Sequence, residues 1–171
     1  TIFRDDRGLF FESWNKKNLK NLINQRVDFV QDNLSISAKG VLRGIHYQKS
    51  TMAQGKLVRC SKGAVFDVIV DLRKSSKTFK YWGGIHLNSE NNYQLWIPEG
   101  FGHGFLSLEN ESIFEYKVTN YWSKDNEKTL LWNDTNIKII WPRIDVPYKL
   151  SKKDQKGDSF KELNLSNSLF E

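Results

Sequence analysis

The sequence predicts an all-β fold, a double-stranded jelly roll with a few short peripheral helices. Two observations carry this. Short apolar or aromatic runs recur along the chain, broken by Gly, Asn, Asp and Ser, which is the spacing of strands in a sandwich or barrel. Closing so many short strands into two facing sheets is the most economical way to cover their edges. No repeat, low-complexity stretch or Pro/Gly linker interrupts the chain, so residues 1–171 read as a single domain.

The elements follow in order. Thr1 is not an initiator Met and Ile2-Phe3 already looks strand-like, so the reading expects residues upstream of this sequence. Asp6-Arg7-Gly8 reads as a turn leading into a strand over Leu9–Glu12. Leu19, Leu22 and Ile23 fall at helical spacing within Asn15–Gln25, the one early helix. Strands are then expected over Phe29–Ile36, Val41–Tyr47, Lys56–Lys62, Ala64–Asp71, Tyr81–Leu87, Tyr93–Ile97, His103–Ser107, Ser112–Tyr121 and Ile137–Ile140. A second short helix is expected from Ser151 to Asp154 and a little beyond.

Composition narrows the function classes. One cysteine, Cys60, cannot form an internal disulfide, which favours a reducing compartment and a cytoplasmic setting. The sequence has no run of about 18 apolar residues, so a membrane span is not expected. The 26 Lys+Arg against 20 Asp+Glu give a net charge of +6, which attracts nucleic acid, anionic lipid or a phosphorylated small molecule. Much of the excess is scattered lysine and no nucleic-acid-binding signature accompanies it, so nucleic acid is not an expected partner.

Three histidines occur, and His46 sits in Gly40-Val41-Leu42-Arg43-Gly44-Ile45-His46-Tyr47-Gln48. An imidazole able to take a proton near neutral pH thus lies close to a guanidinium suited to an anion, on a rigid strand. Taken singly, His46 reads equally as a core histidine bonded to backbone. In a regular strand Arg43 and His46 would face opposite sides, and Gly44 is a place for a bulge that re-aims one of them. In Ile113-Phe114-Glu115-Tyr116-Lys117-Val118, alternation puts Phe114, Tyr116 and Val118 on one apolar, inward side. Lys56 shares strand parity with Val58 and Cys60, which reads either as an inward lysine, where a lone charge is costly unless functional, or as a lysine at a strand start reaching solvent. A metal-binding cupin would carry a His-x-His pair followed by Glu and a later His. Here Tyr47-Gln48-Lys49 follow His46, and His86 and His103 stand apart, so neither a metal nor another cofactor is expected.

The His46 segment is followed by Gln54-Gly55-Lys56-Leu57-Val58-Arg59 and Val65-Phe66-Asp67-Val68-Ile69-Val70-Asp71-Leu72-Arg73. Then come Gln94-Leu95-Trp96-Ile97-Pro98-Glu99-Gly100-Phe101-Gly102-His103-Gly104-Phe105 and Trp132-Asn133-Asp134. In this order and spacing, from about Arg7 to Asp154, the chain resembles the dTDP-4-dehydrorhamnose 3,5-epimerase family of cupin-fold deoxysugar epimerases. The resemblance implies a cofactor-independent isomerase that inverts C3 and C5 of dTDP-4-dehydro-6-deoxy-D-glucose to give dTDP-4-dehydro-L-rhamnose, a precursor of surface polysaccharide.

Epimerising a carbon beside a ketone needs a base on one face, an acid on the other and a group that stabilises the enolate. His46 is read as the base and Tyr116 as the acid. The resemblance implies Asp154 as the carboxylate that orients His46 and Lys56 as the cation meeting the oxyanion. It further implies Arg7, Phe10, Glu12, Gln31, Asn33, Arg43, His103 and Glu127 around the nucleotide sugar. Asp5-Asp6-Arg7-Gly8-Leu9-Phe10-Phe11-Glu12 matches the family's N-terminal motif, whose Arg7 and Glu12 would reach a neighbouring subunit's nucleotide in a homodimer with exchanged N-terminal strands. Where many members place a second tyrosine to stack on thymine, this chain has Tyr121-Trp122, and by count Trp122 takes that place. The competing readings are a 3- or 5-epimerase inverting one carbon, a 3,4-ketoisomerase, a non-catalytic sugar-nucleotide-binding cupin and a metal-dependent oxygenase.

Overall fold

Period-two alternation becomes antiparallel sheets in the computed structural model, which describes residues 1–171. Strands β1 (Ile2–Asp5) and β2 (Gly8–Phe11) form a hairpin by themselves. Strands β3 (Gln31–Ser37), β10 (Ser112–Val118), β5 (Lys56–Lys62) and β8 (Gln94–Ile97) pair in that order as a four-stranded sheet. Strands β11 (Glu127–Thr129), β4 (Leu42–Gln48), β9 (Phe101–Ser107), β6 (Ala64–Asp71) and β7 (Trp82–Asn88) form a five-stranded sheet. The connections cross repeatedly between the two sheets, as a jelly roll requires.

Apolar side chains fill only part of the space between the sheets. Val58, Cys60, Ile97 and Phe114 from one sheet meet Val65, Leu87 and Phe105 from the other. A larger cluster lies on the outer face of the five-stranded sheet, where Leu42, Ile45, Tyr47, Val68 and Leu106 are covered by Leu130, Ile137, Trp141, Phe160, Leu163 and Leu169. The C-terminal third is therefore a second apolar layer, and each fully buried aliphatic side chain in it contributes about 2 kcal/mol. With one face of β4 anchored outward, its other face is left to line a cavity.

The helices are short and locally specified. In α1 (Lys16–Ile23) the Asn15 side chain accepts from Lys17 N and Asn18 N, and Asn24 closes the helix in a left-handed conformation. Helix α2 (Lys152–Gln155) is capped by Ser151, whose hydroxyl accepts from Asp154 N at 3.1 Å. Helix α3 (Phe160–Leu165), not expected from the sequence, carries a reciprocal cap between Ser159 and Glu162 and buries Phe160 and Leu163.

One expected strand fails. Residues Ile137–Ile140 form no strand: a turn over 135–137, in which the Asp134 carboxylate takes Asn136 N and Ile137 N, leads into irregular chain, and Lys138 adopts φ 57°. The apolar run there reflects Ile137 in the outer core beside exposed Ile140. The strand expected to run to Tyr121 ends at Val118, and β11 pairs its Glu127, Lys128 and Thr129 with Gln48, Tyr47 and His46 of β4.

Candidate active site

The cavity between the sheets has a volume of about 600 Å³, and strands from both sheets wall it. From β4 come Arg43 and His46, which a regular strand would set on opposite faces. In the pairing of β4 with β9, Arg43 opposes Phe105 and His46 opposes His103, so three steps on one strand match two on the other. Gly44 is the extra residue. It sits at φ 129°, and a Cβ there would lie 2.5 Å from Gly104 Cα, so only glycine allows the strands to close at this point. The bulge lets Ile45 stay in the outer core while Arg43 and His46 both reach the cavity.

His46 Nε2 lies 2.6 Å from Asp154 Oδ1. Burial works to raise the Asp154 carboxyl, but its hydrogen bond to His46, with the Ser151 contact and the Lys153 charge, holds it below the usual carboxylate range. The helix cap at Ser151 is thus what presents Asp154 to β4. A second pair lies deeper: His103 Nε2 is 2.8 Å from Asp67 Oδ2, and both are buried. Burial pushes the Asp67 carboxyl up and the His103 imidazole down, against their mutual hydrogen bond.

Tyr116 and Lys56 enter from the four-stranded sheet, opposite His46. Burial raises the Tyr116 phenol, and Arg43 opposes that shift. Lys56 is buried, with Nζ 3.5 Å from the His46 carbonyl oxygen. Burial lowers its ammonium to about 8, partly offset by the charges of Asp67 and Glu127. Gln31 donates to Asn33 Oδ1 at 2.8 Å on the same wall, Arg43 Nε donates to Ser37 Oγ at 3.2 Å, and Trp122 and Glu127 stand among the lining residues.

The site therefore gathers His46, Asp154, Tyr116, Lys56, Arg43, Gln31, Asn33, His103, Trp122 and Glu127 around one cavity. Within a single chain it does not gather Arg7, Phe10 and Glu12. These lie on or beside the exposed β1–β2 hairpin, where Arg7 pairs with Asp5 and Glu12 accepts from Asn15 and Asn18. Phe10 flanks a separate cleft with Arg59, Cys60 and Tyr93.

The sequence model of the family described as dTDP-4-dehydrorhamnose 3,5-epimerase matches residues 1–162. The chain belongs to that family. It is 55% identical over 153 residues to the dTDP-4-dehydrorhamnose 3,5-epimerase of Salmonella typhimurium (strain LT2), covering 90% of this chain and 83% of the relative. Among solved structures, a dTDP-6-deoxy-D-glucose-3,5-epimerase from Legionella pneumophila Philadelphia 1, in complex with dTDP-4-keto-L-rhamnose, aligns at a TM-score of 0.93. The identity is 44%, with 99% of this chain and 89% of that one covered. A 3'-monoepimerase from Streptomyces bikiniensis, in complex with dTDP-quinovose, aligns at 0.92 with 28% identity, covering 99% and 85%.

Two charged residues, Lys153 in the cavity wall and Asp67 behind His103, carry roles in this family member that the sequence barely signals. Lys153 pairs with Glu127 at 2.6 Å at the cavity wall. Its neighbour Asp154 was the residue singled out, and a lysine among lysines carries no signal of its own. Asp67 was quoted in a motif but given no role. Its only sequence cue is a carboxylate inside the apolar run Val65–Val70, where a charge needs a partner.

Proposed function

We propose that the cavity inverts C3 and C5 of dTDP-4-dehydro-6-deoxy-D-glucose, giving dTDP-4-dehydro-L-rhamnose. The observation that carries this reading is the placement of an imidazole–carboxylate pair and a phenol on opposite sheets across one cavity. Both carbons flank the C4 ketone, so each loses its proton as an acid α to a carbonyl. His46, oriented by Asp154, takes that proton on one face. The electrons move onto the C4 oxygen, where the Lys56 ammonium and nearby donors stabilise the enolate. Tyr116 then gives its hydroxyl proton to the other face, and proton return through the site resets both groups. No electrons leave the substrate, so this chemistry requires no redox carrier.

Arg43 suits the diphosphate as a guanidinium fork. Gln31, Asn33, His103 and Glu127 offer the neutral and charged contacts a sugar nucleotide needs. Trp122, more than half exposed at the cavity, offers an indole face to thymine. The hairpin residues Arg7, Phe10 and Glu12 serve the cavity of a second copy in a two-fold homodimer. In support, Phe3 and Phe10 stack on each other while exposed at 61% and 72%. Light scattering should give twice the chain mass, and a fully active monomer would refute the exchange. No helix is long and apolar enough to cross a membrane, and the single buried thiol Cys60 suits the reducing cytoplasm.

The test is incubation with dTDP-4-dehydro-6-deoxyglucose in deuterated water, followed by mass spectrometry. Deuterium at both C3 and C5 is the expected result. Deuterium at one carbon would make this chain a single-centre epimerase, and none would leave only binding.

A further inference from the structure

The aromatic platform of the cavity has an unusual support. Trp122 follows β10 in a connection without regular structure and is 57% exposed, so little packs against its indole to fix it. Its position is set through the backbone on either side. Both flanks are held by one side chain, Gln48, at the end of β4 and only 3% exposed. Gln48 Nε2 donates to the carbonyl of Tyr121 at 3.1 Å and to that of Met52 at 2.5 Å. Gln48 Oε1 accepts from Ser123 N at 2.6 Å. The carboxamide thus uses one donor and its acceptor to bracket residue 122, and its other donor to tie down the turn at Met52. A further bond, from Trp122 N to Gln31 Oε1 at 3.4 Å, ties the same residue to the opposite sheet.

We infer that Gln48 is a positioning residue that holds the Trp122 indole where the nucleobase of the sugar nucleotide stacks. This rests on the stacking role proposed for Trp122 above. Gln48 lies two residues from His46 on the same strand, so the base and the nucleobase platform share one rigid support. That arrangement fixes the distance from the nucleotide to the reacting carbons. A carboxamide is the side chain that does this best here, because a backbone carbonyl and a backbone amide must be satisfied together.

The test compares Gln48→Leu, Gln48→Glu, Trp122→Ala and the Gln48→Leu/Trp122→Ala double variant. KM and kcat are measured with dTDP-4-dehydro-6-deoxyglucose, and affinity for dTDP alone by calorimetry. One stacked base is worth about tenfold in affinity, so Trp122→Ala should weaken dTDP binding by about that factor. Gln48→Leu, similar in size but without the three bonds, should approach the same loss, falling on KM rather than on kcat. Gln48→Glu keeps the acceptor for Ser123 N but sets a carboxylate against two carbonyls, so it should fall between. It also serves if the leucine variant does not fold. Because Gln48 acts through Trp122, the double variant should bind dTDP no worse than Trp122→Ala. Normal dTDP affinity in Gln48→Glu or in Gln48→Leu, or additive losses in the double variant, would overturn the inference. Normal affinity in Trp122→Ala would instead overturn the stacking role itself.

Discussion

Two histidine–carboxylate pairs flank the cavity, and they differ in almost everything except their hydrogen bond. His46 and Asp154 expose 30% and 5% of their side chains, whereas His103 and Asp67 expose 7% and none. In the outer pair the carboxyl is held below its usual range. In the inner pair burial raises the carboxyl and lowers the imidazole. The inner pair is thus biased towards its uncharged forms, while the outer carboxylate keeps its charge beside an imidazole that meets the cavity. A base needs the second arrangement, and a fixed wall that positions a substrate oxygen needs the first. On the proposed mechanism, the same two residue types are divided by depth into a chemical pair and a wall pair.

The largest effect should therefore fall on the outer pair. His46→Ala should lower solvent deuterium exchange by about 10³- to 10⁴-fold, the upper range of general acid–base catalysis. Affinity for dTDP should stay near normal, because the nucleotide contacts remain. Asp154→Asn should lose less, since an orienting group tunes proton transfer rather than performing it. Exchange at the normal rate in His46→Ala would move the base elsewhere, His103 being the nearest rival.

Tyr116→Phe sharpens the same contrast from the opposite sheet. The ring and its packing stay, so no cavity forms, while the transferable proton is lost. His46 still takes a proton and returns it on its own side. Inversion should fall by about 10²-fold or more, with wash-in of deuterium partly retained. A variant inverting both centres at close to the normal rate would show that another donor serves the second face.

Stability should rank the pairs the other way. Asp67→Ala strips the hydrogen-bond partner from a buried, uncharged imidazole and should cost about 2–3 kcal/mol. Asp154→Ala, at the cavity edge where water can replace the lost bond, should cost about 1 kcal/mol. Thermal or denaturant unfolding checks both. Equal costs would mean that Asp154 is as structural as Asp67, and the division by depth would collapse.

Most strands were legible in the sequence but little of this contrast was, and the limits are physical. Strands such as Lys56–Lys62 and Ala64–Asp71 match expectation end to end, because apolar alternation and flanking turns both mark them. Gly44 announced the bulge, since a glycine between two inward-facing functional residues resolves their parity. The Ile137–Ile140 strand failed because apolar content was read without Asp134, whose carboxylate takes the amides of a turn. Asp154 stood out only through resemblance; its burial comes from the contact of α2 with β4, which no local pattern encodes. Lys153 and Asp67 escaped for the same reason: their partners, Glu127 and His103, are distant in the chain and meet only after the sheets close.

The effect that best separates Lys56 from its neighbours is graded in pH. With its ammonium lowered to about 8 by burial, Lys56 is charged below that pH and progressively neutral above it. If the charge stabilises the enolate, kcat/KM, which reports groups of the free enzyme, should fall about tenfold per unit above pH 8. Tyr116 cannot cause that limb, because burial raises its phenol above 10. Stability should move in the opposite sense. The unfolded lysine keeps its proton to about 10.5, so between 8 and 10.5 the unfolded chain binds more protons. Over that range the Lys56 contribution makes the fold more stable as pH rises. Activity and stability should thus diverge across one window, and Lys56→Arg, which stays charged, should remove both trends. An alkaline limb near 8 that persists in Lys56→Arg would assign it to another group and return Lys56 to the role of a buried wall residue.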